Sequence, residues 1–395
     1  MLQSNHQKNQ ENENEFIFTP ELLARSLVLR MASPLRSCPG MIPNPTPDEA
    51  TARAAFVRFI EKCDRNQRIV ALHDVDADGI SAGAVWQRVM KDLGFTNLAR
   101  VQPNRERNAW TQSNRERVEV TKPQRLFVLD LGSQPHRVVE NVPACFIDHH
   151  RPEGIAEGDT LISAYSWDPI PTTSLLMWQL GAALTDVGAY DWLAAIGLVG
   201  DLGERAPFAM LEAAKKKYTA KYLKEAAALL NAARRSSAFD PEIAASALLN
   251  HDGPRALVNS DSPEVQRLNE ARAEVKAALD EARKAAPVFA GNVALIRVNS
   301  TCQVHPLIAQ QWRGRLPKYI VIAANEGYIP GRVNFSGRTS SGASVIDFLR
   351  GISVEGYENQ YGHGHDAASG GSLPVEQWNE LLEKMGFNSA VFAQP

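Results

Sequence analysis

At 395 residues with 44% hydrophobic content, the chain is long enough for two domains, each with its own core. A formal net charge of −3 excludes a global basic field, so any contact with nucleic acid has to rest on a local groove. The four cysteines, Cys38, Cys63, Cys145 and Cys302, lack CxxC spacing and support neither a disulfide framework nor a zinc knuckle, which fits a reducing compartment. No apolar stretch reaches spanning length, and the first residues lack the basic-then-apolar order of a signal peptide. The expectation is a soluble, cytoplasmic protein with no membrane contact.

Residues 1–17 are polar and low in complexity and read as a disordered tail. A helix from Glu21 to Arg30, a proline-rich connector through Pro34, Pro39, Pro43 and Pro45, and a second helix from about Pro47 to Asp64 make residues 18–66 a helical cover. Next comes an apolar, β-branched run, Ile69 to Leu72, which reads as a buried parallel strand. It leads into Asp74, Asp76 and Asp78, which alternate with Val75 and Ala77. In extended conformation all three carboxylates point to one side of the strand's end. Gly79 permits a turn, and Ser81 is placed to cap a helix carrying Ala84, Val85, Val89 and Leu93. Three converging carboxylates repel one another, and a divalent cation is the economical neutraliser; a solvated acidic turn is the bland alternative. A calcium loop of the EF-hand type is discounted, because the twelfth residue from Asp74 is Val85 rather than Glu.

An arginine-rich segment follows, with Arg100, Arg105, Arg107, Arg115, Arg117 and Arg125 around Trp110. It reads either as a solvated face or as a phosphate-contacting rim with an aromatic platform. Two further buried strands, Arg125 to Asp130 and Cys145 to Asp148, again end in acid, the second running into His149 and His150. A parallel sheet would bring the three ends together along one edge, where open α/β folds place ligands. Thr172 or Thr173 starts an apolar helix from Ser174 to Ala183, and another from Tyr190 to Val199 runs into Gly200-Asp201. An acid at that point is costly to bury unless it is paired or metal-bound.

Helices are expected across Met210 to Ala233, with Lys215, Lys216, Lys217, Lys221 and Lys224 as a solvated face, ending at Asn231-Ala232-Ala233-Arg234-Arg235. Ser262-Pro263-Glu264 starts a helix with an apolar stripe through Val265, Leu268, Val275, Leu279 and Ala282, which reads as a connector over 261–287. A second α/β pattern fills 288–390: strand Val293 to Val298, helix His305 to Trp312, strand Tyr319 to Ala323, a hairpin over Tyr328 to Phe335, then Arg338 and a helix near Val345 to Leu349. It closes with the stretch Gly362-His363-Gly364-His365 through Gly371, either a flexible glycine loop or a close approach to anionic oxygen.

Assembled in order, these motifs resemble those of the DHH phosphoesterase superfamily, in the subfamily with a C-terminal DHH-associated domain. They are Asp74 to Gly79, Asp130, Asp148-His149-His150, Gly200-Asp201, Asn231 to Arg235 and Gly364 to Gly370. The form of the first is similar to that of RecJ-type single-strand exonucleases. The resemblance implies an α/β fold in which a parallel-sheet catalytic domain, 67–260, is joined by the connector helix to a smaller α/β substrate-binding domain, with the active site in the cleft between them. It implies two divalent cations, Mn²⁺ preferred and Mg²⁺ possible, held by Asp76, Asp78, Asp130, His149 and Asp201, with Asp74 as a third first-motif ligand. Asp148 would orient its loop, His150 would face substrate phosphate, and Arg235, Arg338, His363, Gly364 and His365 would bind substrate. The sequence departs from the pattern at Arg234, where such proteins usually carry Gly, and it leaves no length for the added oligonucleotide-binding barrel of bacterial RecJ.

The expected function is metal-dependent phosphodiester hydrolysis, as a 5′ to 3′ exonuclease on single-stranded DNA or RNA that releases 5′-mononucleotides. A phosphodiesterase or phosphatase for short oligonucleotides, cyclic dinucleotides or a 3′-phosphonucleotide is the second reading, and a non-catalytic replication or repair scaffold the third. Protein partners are not legible.

Overall fold

The computed structural model describes residues 45–394; the expected tail and the helix from Glu21 to Arg30 lie outside them. Two sheets carry the fold. The first has five parallel strands, β1 (Ile69–His73), β2 (Leu98–Val101), β3 (Arg125–Leu129), β4 (Ala144–Asp148) and β5 (Thr160–Ser163), in the order β2-β1-β3-β4-β5. Strands β1, β3 and β4 are almost wholly buried, which is why they read as continuous apolar runs rather than as alternation. The two-residue period still sorts their faces. Ile69, Ala71, Phe127, Leu129, Cys145 and Ile147 enter one core with the helices Ala77–Asp92, Thr173–Gly181, Asp191–Asp201 and Ala220–Arg235. Val70, Leu72, Leu126, Val128 and Phe146 enter the core on the other face, with Val118 of the helix Gln112–Glu119.

The strand order reverses between β1 and β3, so the two connections leave toward opposite faces and open a crevice at that point. Asp74 follows β1 and Asp130 follows β3. Backbone hydrogen bonds continue one residue past the strands, Asp74 N–H donating to Leu129 O (3.1 Å) and Asp130 N–H to Ile147 O (3.2 Å), so both acids are fixed at the crevice.

The second sheet runs β10-β11-β9-β8-β7-β6, from β6 (Val288–Ala290), β7 (Val293–Val298), β8 (Ile320–Ile329), β9 (Arg332–Arg338), β10 (Tyr361–His365) and β11 (Ala368–Pro374). All pairs are antiparallel except β7 with β8. The helix Pro263–Ala282 spans both bodies of the fold. Ser262 caps it, Val265 and Leu268 sit in the first core, and Val275 and Ala282 pack on the second sheet beside Ile296 and Ile308.

Several local expectations are corrected. The acidic motif is not extended: the helix begins at Ala77, Asp76 rather than Ser81 is its N-cap, and Asp78 lies in its first turn. The carboxylate of Asp76 accepts from the N–H groups of Asp78 and Gly79, at 3.1 Å each, and this capping wins over strand continuation. The lysine-rich helix breaks at Thr219, which has φ 67, into Ala209–Tyr218 and Ala220–Arg235. The glycine-rich stretch is not a free loop: β10 and β11 form a hairpin against β9, and Gly370 lies so close to that strand that an added Cβ would sit 2.3 Å from Phe335 O. Among the described residues no helix is long and apolar enough to cross a membrane.

Candidate metal centre

The centre is built from three strand ends and two helix ends. Asp78 is 2% exposed, and its carboxylate is held by the first turn of the helix Thr173–Gly181: Thr173 N–H donates to Oδ2 (2.7 Å) and Ser174 N–H to Oδ1 (3.0 Å). A helix N-terminus with free N–H groups is a ready anion seat. The Thr173 hydroxyl donates in turn to Asp130 Oδ1 (2.9 Å), so one threonine fixes two carboxylates. Asp130 has φ 65, and this left-handed turn at the end of β3 turns its side chain into the crevice.

His149, buried at the end of β4, brings Nε2 to 3.3 Å from Asp130 Oδ1 and 3.9 Å from Asp201 Oδ2. Asp201, the last residue of its helix, is 35% exposed there and opens the cluster toward solvent. Asp148 turns the other way. Its Oδ1 accepts from the His150 N–H (2.6 Å) and His150 Nδ1 (2.8 Å), and its Oδ2 accepts from Gly132 N–H (2.7 Å). From the second sheet, His365 at the end of β10 stacks on His150, ring centres 4.8 Å apart, and meets His149 edge-on at 5.0 Å. Gly364, at φ 114, makes the approach possible; a Cβ there would lie 2.8 Å from Ala368 O.

The charge balance is uneven. Burial, then Asp78 and Asp76, push Asp130 well above the usual carboxylate range, and burial with Asp201 and Asp76 nearby lifts Asp78 to about 6. Against the cost of burial, Asp201 and Asp78 raise His149, and Asp148 raises His150 to about 9. Burial and the neighbouring His150 and His149 depress His365 to about 2.

Asp76 is different: Arg234 and Arg107 overcome its burial and hold it below the usual range. Arg107 donates from Nε to Asp74 Oδ1 (2.9 Å) and from Nη2 to Asp74 Oδ2, and Nη2 also reaches Asp76 Oδ2 at 3.0 Å. Arg234, 8% exposed along its side chain, keeps Nη2 3.8 Å from the same Asp76 oxygen.

Among the described residues four overlapping groups could hold a metal ion, Asp78-Asp130-His149, Asp74-Asp76-Asp130, Asp130-Asp148-His150 and His149-His150-His365, with ligand atoms within 4.8 Å of one another in each group; the first two leave Asp148 and His150 to each other. The donors are carboxylate oxygen and imidazole, with no thiolate, which suits Mn²⁺ or Mg²⁺. The fit is supported by the crowding of the buried Asp78 and Asp130, whose negative charges a cation would neutralise, and by His149 Nε2, 3.3 Å from Asp130 Oδ1.

The remaining expected site residues stand around this cluster. Arg235 is half-buried with Nε unpartnered, while Arg338, at the end of β9, donates to Ser336 Oγ (2.8 Å) and Gly337 O (2.9 Å). His363 does not face the acids: its Nδ1 meets Glu153 Oε1 at 2.6 Å. One face of Trp110 stacks on Phe146, with ring centres 6.0 Å apart and planes 3° from parallel, and its Nε1 donates to His136 O (2.7 Å). Sequence reasoning missed Thr173 and Ser174 as carboxylate holders, although polar residues opening an apolar helix are the signal for such a seat. Arg107 it placed only in the general rim.

No family model matches the chain. The single-stranded-DNA-specific exonuclease RecJ of Escherichia coli (strain K12) is 25% identical over 390 residues, covering 81% of this chain and 66% of that protein. A crystal structure of exonuclease RecJ bound to manganese superposes with a TM-score of 0.57 at 18% identity, over 87% of this chain and 95% of that one. The chain is similar to RecJ in sequence and shares its fold. RecJ of Thermus thermophilus in complex with Mn²⁺ gives a TM-score of 0.61 at 19% identity, over 90% of this chain and 56% of that one. The chain spans 66% of the length of the curated relative it matches.

Proposed function

We propose that the chain hydrolyses phosphodiester bonds with divalent cations, acting as a RecJ-like 5′ to 3′ exonuclease on single-stranded nucleic acid and releasing 5′-mononucleotides. The observation that carries this reading is Asp130, which is shared by the groups Asp78-Asp130-His149 and Asp74-Asp76-Asp130, so that one carboxylate would serve both halves of a metal centre. Asp76, Asp78, Asp130, His149 and Asp201 would be the ligands, with Asp74 beside them. A bound divalent cation supplies positive charge that polarises a phosphoryl oxygen and acidifies water.

The chain's own groups do the rest. Thr173 and Ser174 hold Asp78 and Asp130 in place before any substrate arrives. Asp148 keeps His150 protonated and aimed into the crevice, where its charge suits a phosphate oxygen. His365, kept neutral by its surroundings, offers a donor from the second sheet, and Arg235, Arg338 and Gly364 would bind the strand's backbone. His363, through Glu153, would hold the second sheet against the first as substrate binds.

The net charge of −3 favours a second reading, a phosphodiesterase for dinucleotides or other short substrates. Hydrolysis of 5′-labelled and 3′-labelled strands of graded length in Mn²⁺ separates the two. Progressive release of mononucleotides from the 5′ end of long strands, weakening steeply with salt, supports the exonuclease; turnover confined to the shortest oligomers and indifferent to salt supports the second reading.

A further inference from the structure

We propose that Arg107 is a built-in cation seated on one half of the metal centre, so that divalent cations load in order. The first is taken by Asp78, Asp130 and His149; the second reaches Asp74, Asp76 and Asp130 only when the guanidinium moves away. This rests on the reading of the acidic cluster as a metal centre.

Asp74 is 3% exposed, and both of its oxygens are taken by Arg107 in a two-pronged contact that also reaches Asp76 Oδ2 at 3.0 Å. Such a planar fork satisfies a carboxylate from one side and uses the lone pairs that a cation would need. Arg234 supports the arrangement from behind. It is fixed by Asn231 Oδ1, which accepts from Nε (3.0 Å), and by Gln303 Oε1, which accepts from Nη1 (2.7 Å). Among the described residues no arginine pairs with the other half of the centre: Asp78 accepts from the backbone N–H groups of Thr173 and Ser174, neutral donors that leave lone pairs toward Asp130 and His149.

Arg107 is also placed to move. It lies between β2 and the helix Gln112–Glu119 with a left-handed φ of 52, and its side chain is 29% exposed. A substrate phosphate entering the crevice offers the same paired oxygens as Asp74, so the guanidinium can exchange one for the other and free the carboxylates. The second cation would then arrive with the substrate.

The test is a Mn²⁺ titration of the metal-stripped full chain, followed by calorimetry and by electron paramagnetic resonance, for the wild type, Arg107→Gln and Arg107→Lys. The wild type is expected to fill one site, and the second at least roughly tenfold more weakly. Arg107→Gln is expected to bring the two affinities within about threefold, with the signal of spin-coupled manganese appearing near two equivalents. Arg107→Lys, which keeps the charge but loses the fork, should fall between. Two equal sites in the wild type, or a two-step isotherm unchanged in both variants, would overturn the proposal and leave the metal centre standing. If the wild type shows no binding that Asp130→Ala abolishes, the metal centre itself falls. The wild-type isotherm alone decides the question if Arg107→Gln does not fold.

Discussion

Asp148 holds His150 twice, through the backbone N–H at 2.6 Å and through ring Nδ1 at 2.8 Å. The pair raises the imidazole from 6.5 to about 9, against the cost of its burial. A group whose pKa is raised by folding stabilises the fold while it is protonated in both states, so this contribution is complete below pH 6.5 and fades as pH rises through about 9. The Asp148 carboxylate, lowered from 3.8, sets the acid limit: its contribution is lost as pH falls below that value. Thermal melts of metal-stripped protein should therefore show the gap between wild type and His150→Gln shrinking from neutral pH toward pH 10. A gap independent of pH would show that the pair is neutral.

Gly197 sits where a side chain would collide with the carboxylate seat: an added Cβ would lie 1.9 Å from Ser174 Oγ and 2.4 Å from Asp78 Oδ1. Gly197→Ala should cost about 1–3 kcal/mol of stability and weaken Mn²⁺ binding together, because the same displacement causes both. Urea unfolding and a Mn²⁺ titration of the one variant measure the two effects. Destabilisation with intact metal affinity would mean that the seat yields elsewhere.

Thr173→Val removes the hydroxyl that donates to Asp130 while keeping the helix start. The buried carboxylate loses a donor, at about 1–3 kcal/mol, and, on the proposed reading of Asp130 as a metal ligand, hydrolysis should fall through kcat rather than KM, since Thr173 would position that ligand without touching substrate. Thr173→Ser should recover most of the activity; failure to recover would point to packing of the methyl group instead.

Glu153, in the loop after β4, meets both Arg350 and His363 of the second body of the fold. These groups are 28–39% exposed, so Glu153→Ala should change stability by no more than about 1 kcal/mol. If the contact keeps the crevice closed over a strand, KM should rise several-fold with little change in kcat. Unaltered steady-state kinetics would reduce the contact to a surface ion pair.

How much of this the sequence disclosed follows from the range of the interactions. Ile69 to Leu72, Arg125 to Asp130 and Cys145 to Asp148 were legible because strands buried on both faces are apolar along their buried length, and each leads into an ionisable group with nowhere dry to go. The strand Leu98–Val101 was not, since a short, half-exposed edge carrying Arg100 has no such signature. The bend of the acidic motif was hidden by a local competition, in which Asp76 caps a helix instead of extending the strand. Arg107 was read as rim because its partner Asp74 lies 33 residues back, a pairing that only the crossing of β1 and β2 creates. Thr173 and Ser174 were readable as a helix start, but their grip on Asp78 depends on a contact made 95 residues away in the chain.

The most direct test of the account is the hydrolysis of a labelled single strand by the metal-stripped protein, with and without added Mn²⁺, beside Asp130→Ala. Asp130 is shared by the groups Asp78-Asp130-His149 and Asp74-Asp76-Asp130, so the account predicts cleavage that requires Mn²⁺ and falls by roughly a thousandfold or more in the variant. Cleavage that survives in Asp130→Ala, or that proceeds equally in chelator, would contradict it.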